Sequence, residues 1–136
     1  MIFRGTATAL ITPFTEDDKV DVQAIRNIVD MQIANGINAL VALGTTGEPA
    51  TLSEEEKEQI VRVCVEQTSG KIPLIVGAGS NSTRQAVETC RMAQKLGADA
   101  LLVVTPYYNK CTQEGLVEHY GAIAKATSLP IICYNV

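Results

Sequence analysis

Five short runs of consecutive apolar residues punctuate the chain: Thr6 to Ile11, Ala39 to Leu43, Pro73 to Val76, Ala100 to Val104 and Pro130 to Tyr134. Within each run the apolar positions follow one another instead of alternating. A strand with one wet face alternates, whereas a strand covered on both faces does not, so the runs predict a parallel sheet. Between them the apolar spacing lengthens to the helical period. Val22, Ile25, Val29 and Ile33 make one stripe, and Gly36 follows as a left-handed stop. Ser53 and Glu56 form a capping-box pattern ahead of a second helix, whose acidic first turn (Glu54, Glu55, Glu56) suits the positive end of the helix dipole. Ser82 with Gln85 repeats that spacing before a third helix, with core positions Val87, Cys90, Ala93 and Leu96 and a stop at Gly97. Thr112 caps a fourth, with the stripe Leu116, Tyr120 and Ile123.

The pattern also repeats on a coarser scale. "NGINALVAL" from Asn35 is echoed by "LGADALLVV" from Leu96, and "KIPLIVGAG" from Lys71 by "SLPIICYN" from Ser128. Each pair lies roughly sixty residues apart, so the repeating unit is two strand–helix pairs. The predicted class is α/β: a parallel (β/α) half-barrel made of the first four βα units plus strand five of a TIM barrel. A closed barrel of eight units takes about 250 residues, so the expectation is a single domain over residues 1–136 with the C-terminal half absent. A five-stranded flavodoxin-like sheet has the same element count, and only strand order separates the two.

Composition narrows the function classes. Hydrophobic residues make up 46% and charged residues 19%, as in a well-packed globular domain. The net charge is −4, with Lys and Arg scattered singly, so no basic surface tracks phosphates and nucleic acid is not an expected partner. The opening "MIFR" has no basic leader followed by an apolar stretch, and no apolar run is long enough to span a bilayer. No membrane association is expected, and the cytoplasm is the expected location. Cys64, Cys90, Cys111 and Cys133 are widely spaced and have no histidine cluster, so neither a metal nor a redox motif is indicated and most are expected buried. His119, the one histidine, is expected at the surface or half-buried.

In parallel α/β folds, chemistry sits on the loops after the strands. After the first comes "TPFTEDDK", read as a structural turn. After the second, "GTTGEPATLS" places the hydroxyls of Thr45 and Thr46 and several amides at one point, which suits a carboxylate. "GAGSNS" opens like a phosphate loop, but Ser82 stands where a third glycine belongs and Asp99 falls before the next strand, which weighs against a dinucleotide. In "TPYYNKCTQ", Tyr107 and Tyr108 point to opposite sides, so one can pack while the other presents its phenol. Tyr134 stands at the tip of the fifth run. Hydroxyls after the second, fourth and fifth strands can converge into a Thr–Tyr–Tyr chain that passes protons to a carbonyl substrate.

"GTTGE", "GAGSNST", "GADALLVVTPYYNK" and "ICYNV" together resemble the dihydrodipicolinate synthase and N-acetylneuraminate lyase family of class I aldolases. The double-threonine turn and "PYYN" favour the synthase branch, which condenses pyruvate with aspartate semialdehyde on the route to diaminopimelate and lysine. The resemblance implies that Thr45 is a relay hydroxyl, Thr46 holds the pyruvate carboxylate and Tyr134 shuttles protons. It implies that Tyr108 completes the relay of a neighbouring chain across a subunit interface, hence a homo-oligomer. Ala50, Asn81, Gln85 and Tyr107 match places where lysine binds as feedback inhibitor. Glu54 and Lys57 replace the histidines of inhibited members, which counts against inhibition.

No cofactor is implied, because the family works through an imine between pyruvate and a lysine on the sixth strand. It positions the second substrate with an arginine just beyond "YNV". Neither residue is in this chain. Its lysines, at 19, 57, 71, 95, 110 and 125, fall in predicted loops or helices, and none has the desolvated strand setting that frees an amine for attack. The chain alone is therefore expected to be inactive. An assembly or interaction fragment, completed by itself or by a separate C-terminal half, and another pyruvate aldolase of the same family remain the alternatives.

Overall fold

Backbone pairing decides between the two sheet architectures. In a computed structural model, which describes residues 2–136 and leaves Met1 outside, the strands are β1 (Ala7–Ala9), β2 (Ala39–Ala42), β3 (Leu74–Gly77), β4 (Ala100–Val104) and β5 (Ile131–Tyr134). All are parallel, in the order β1-β2-β3-β4-β5. A doubly wound flavodoxin-like sheet would place β1 between β2 and β3. Sequential order is that of a (β/α) barrel wall, so the half-barrel expectation holds and the flavodoxin-like alternative does not.

Helices α1 (Val22–Ala34), α2 (Glu54–Thr68), α3 (Thr83–Leu96) and α4 (Gln113–Ala126) alternate with the strands. The strand residues sort by parity between two apolar layers. Leu40, Ala42, Leu74, Val76, Leu101 and Val103 join the helix-side core, with Val29, Val61, Cys64, Cys90 and Ile123. Ala39, Val41, Ile75 and Ala100 face the other way, against Ile2, Phe3, Ala7, Leu102 and Ile132. Burying one Val or Leu side chain stabilises by about 1.5–3 kcal/mol, and both sheet faces draw on it. The consecutive apolar runs record this double burial.

The departures from the predicted elements have local causes. β1 is shorter than Thr6 to Ile11: Leu10 N–H still reaches the Val41 carbonyl (2.9 Å), but Thr12 then turns toward the loop after β2 and Pro13 has no N–H to pair. β3 and β5 begin one residue after Pro73 and Pro130, whose carbonyls accept from Leu40 and Leu101 N–H. Asp21 caps α1, accepting from Ala24 N–H at 2.8 Å. Ser53 and Glu56 form the full reciprocal box at α2. At α3 only half of the predicted box forms. Ser82 accepts from Gln85 N–H, but the Gln85 amide is taken by Ser80 (3.0 Å) and Glu54 (3.3 Å).

Burial also corrects two expectations. Cys64 and Cys90 are buried, while Cys111 and Cys133 are exposed, so half the thiols and not most are core residues. Burial pushes the Cys64 thiol up to about 12 and the Cys90 thiol up to about 11. His119 is buried, not superficial, because α4 turns it against the start of α3. Among the described residues, no helix is long and apolar enough to cross a membrane.

Candidate functional site

The loop after β2 is strained on both sides. Leu43, 3% exposed, has φ +56°, and Glu48 has φ +50°. A left-handed conformation costs a residue with a side chain about 1–2 kcal/mol, and such strain persists only where the surroundings fix it. Here the fixing is backbone against backbone. A Cβ on Gly77 would lie 1.9 Å from the Leu43 carbonyl oxygen, and a Cβ on Gly79 would lie 2.4 Å from the Val104 nitrogen. The two glycines of "GAG" therefore let the ends of β2, β3 and β4 approach more closely than any side chain allows.

Between the two strained residues Thr45–Gly47 forms one 3₁₀ turn, and Pro49–Thr51 forms a second just after Glu48. Gly47 N–H bonds to the Gly44 carbonyl at 2.8 Å and Glu48 N–H to that of Thr45 at 3.1 Å. The amides of Thr45 and Thr46 head the first turn with no backbone partner among the described residues, as the first donors of a helical turn do. Two free amides and two exposed threonine hydroxyls can receive a carboxylate.

A cavity of about 300 Å³ opens at this end of the sheet, with Thr45, Glu48, Ala50, Val104, Tyr107 and Tyr134 among its lining. Tyr134 arrives from β5, whose end is tied to β4 by Thr105 N–H donating to the Tyr134 carbonyl at 2.9 Å. Thr45 and Tyr134 thus share one cavity, as the convergence of loops required. Thr46 stands beside it in the turn. Tyr108 does not join them: it is 92% exposed, outside the lining, with φ +79°. No hydrogen bond links the hydroxyls of Thr45, Tyr108 and Tyr134 among the described residues. The tyrosine pair divides, with Tyr107 on the cavity wall and the Tyr108 phenol presented outward, but Tyr107 is 48% exposed and does not pack as expected.

A second cavity of about 250 Å³ lies behind Pro49, Ala50, Gly77, Gly79 and Tyr107, which both cavities share. Its polar wall includes Glu54, Lys57, Ser80 and Gln85. Of the four residues matched to a lysine site, Ala50, Gln85 and Tyr107 line it and Asn81 does not. The Lys57 side chain is only 12% exposed, and its Nζ lies 2.8 Å from Glu54 Oε1. The hydrogen bond from Lys57 holds the Glu54 carboxyl below its ordinary range, with a smaller contribution from Gln85. No sequence signal marked this lysine as half-buried, because its helix position looks solvated.

A family model described as the "Dihydrodipicolinate synthetase family" matches residues 2–136. The chain belongs to this family. Its sequence is 54% identical over 135 residues to the 4-hydroxy-tetrahydrodipicolinate synthase of Chelativorans sp. (strain BNC1), covering 99% of the chain and 46% of that relative. The dihydrodipicolinate synthase structure from Thermotoga maritima superposes with a TM-score of 0.96 at 50% identity, over 100% of this chain and 46% of that one. The chloride-inhibited Acinetobacter baumannii enzyme, solved complexed with pyruvate, gives 0.96 at 49% identity, with 100% and 46% covered. The chain spans about half the length of the relatives it matches. Membership accounts for the resemblance carried by "GTTGE" and "PYYNK", and the strand order is that of a (β/α) barrel wall.

Proposed function

We propose that this chain contributes the carboxylate-binding and proton-relay part of a 4-hydroxy-tetrahydrodipicolinate synthase site, where pyruvate condenses with aspartate semialdehyde. The observation that carries it is the placing of Thr45 and Tyr134 on one cavity beside the Thr45–Gly47 turn. In this mechanism the turn's amides and Thr46 hold the pyruvate carboxylate. Thr45 and Tyr134 then move protons as the imine forms and loses a proton to give the enamine that attacks the aldehyde. The imine nitrogen comes from a lysine outside this chain. Among the six lysines present none lies in a strand, and Lys57 is held by Glu54.

Tyr108, exposed and in a left-handed conformation, is proposed to reach a neighbouring subunit's cavity and complete its relay. The assembly would be a homo-oligomer in the cytoplasm. β1 and β5 each have one open edge, which favours pairing with a complementary half, so a fragment that acts only in assembly is the second proposal. At the second cavity, Ala50, Gln85 and Tyr107, with Asn81 nearby in sequence, are proposed to mark the family's lysine position. The Lys57 ammonium already occupies the Glu54 carboxylate there, so we expect no response to lysine.

Titrating pyruvate into ¹⁵N-labelled chain tests the proposal. Amide shifts confined to Thr45, Thr46 and Gly47 support it, and shifts absent there or centred elsewhere refute it. Added lysine should leave Ala50 and Gln85 unmoved.

A further inference from the structure

The loop after β1 carries a threonine that no step above uses. Thr12 is half-buried, and its Oγ1 donates to the Gly47 carbonyl at 2.8 Å, bridging 35 residues of sequence. The segment behind it is anchored on both sides: Leu10 N–H bonds to the Val41 carbonyl and the Pro13 carbonyl accepts from Asp21 N–H, each at 2.9 Å. The hydroxyl is therefore a fixed point. Gly47 is pressed against the same segment, since a Cβ there would lie 3.2 Å from the Leu10 carbonyl oxygen and 3.4 Å from Thr12 Oγ1.

The turn needs such a point. Its own bonds, Gly47 to Gly44 and Glu48 to Thr45, close short loops within the turn and leave its orientation to the rest of the fold. Its two flanks, Leu43 and Glu48, sit in left-handed conformations that relax unless held. Gly77 constrains the Leu43 side by close approach, and Thr12 constrains the Gly47 side by a directional bond.

We propose that Thr12 is a positioning residue that clamps the Thr45–Gly47 turn and so fixes where its free amides and hydroxyls face the cavity. The clamp itself is independent of the substrate. Its consequence for carboxylate binding rests on the proposed pyruvate site.

Amide hydrogen exchange on the full chain tests it with Thr12→Val, which keeps the shape and removes the hydroxyl, and Thr12→Ser, which keeps the hydroxyl. Loss of one net hydrogen bond should speed exchange at Gly47 and Glu48 by about fivefold in Thr12→Val, while Thr12→Ser stays near wild type. β3 and α3 amides, on the opposite side of the turn, should not change. Acceleration spread evenly over β3 and α3, unfolding of Thr12→Val, no acceleration at all, or Thr12→Ser behaving like Thr12→Val would each overturn the clamp. A parallel pyruvate titration separates the two proposals. Silent turn amides in wild type sink the substrate, whereas the exchange pattern judges Thr12 either way.

Discussion

Replacing Gly77 by alanine is expected to damage both stability and the site, because its missing Cβ is where two backbones meet. The added carbon would lie 1.9 Å from the Leu43 oxygen, 2.5 Å from its carbon and 2.9 Å from the Gly44 nitrogen, whereas real Cβ contacts stay beyond 3.0 Å. None of these is a flexible side-chain end, so β2 and β3 must separate by more than an ångström at their ends. Overpacking of this kind costs about 1–3 kcal/mol, and weakening the Gly77–Leu102 pairing adds about 1 kcal/mol. A total of about 3 kcal/mol lowers the melting temperature by roughly 10 °C for a chain of this length. Gly121→Ala is the matched control: it lies within α4, nothing is within 4 Å of its Cβ, and helix propensity should stabilise by about 1 kcal/mol. Circular-dichroism melts of both variants measure the pair. Gly77→Ala melting within a few degrees of wild type, or no lower than Gly121→Ala, would refute the close approach on which the strained Leu43 depends.

Two further outcomes follow from burial. Desolvation lowers the His119 pKa in the folded chain, and among the described residues Nε2 has no hydrogen-bond partner to offset a charge. The unfolded chain, with a histidine near 6.5, takes up that proton first. Stability should therefore be full above that value and fall as pH drops below it, with urea midpoints showing the fall and His119→Gln flattening it. An equal slope in the variant would contradict this. In native chain, Cys111 and Cys133 should react readily with a thiol reagent while Cys64 and Cys90 react only after unfolding. Equal native labelling of all four would mean that the helix-side core is not closed.

The parts legible in the sequence were those set by local rules repeated along the chain. The consecutive apolar runs Ala39 to Leu43 and Pro73 to Val76 announced strands buried on two faces, and Ser53 with Glu56 announced its cap. Thr45 and Tyr134 could be placed near one another because parallel strands all end on the same side, whereas Tyr108, the third hydroxyl expected with them, stands outside their cavity. What stayed hidden depended on contacts distant in sequence. The Gln85 side chain had a better use across the gap to Glu54 than in its own cap, and His119 was buried by a helix whose exposed neighbours gave no sign of it. Leu43 reads as an ordinary strand residue, and only the approach of Gly77 shows its left-handed backbone. Thr12 looked like part of a turn because its partner, Gly47, is a backbone carbonyl that no motif encodes.

The most direct measurement is intact-mass analysis after the chain is incubated with pyruvate and a borohydride reductant, with a full-length family relative alongside. An imine reduced in place leaves a permanent added mass on its lysine. The relative should gain that mass, while this chain, whose lysines at 19, 57, 71, 95, 110 and 125 all lie outside its strands, should not. A stoichiometric pyruvate-derived adduct on any of those six would contradict the proposal that the chain supplies the carboxylate turn and the relay but not the nucleophile.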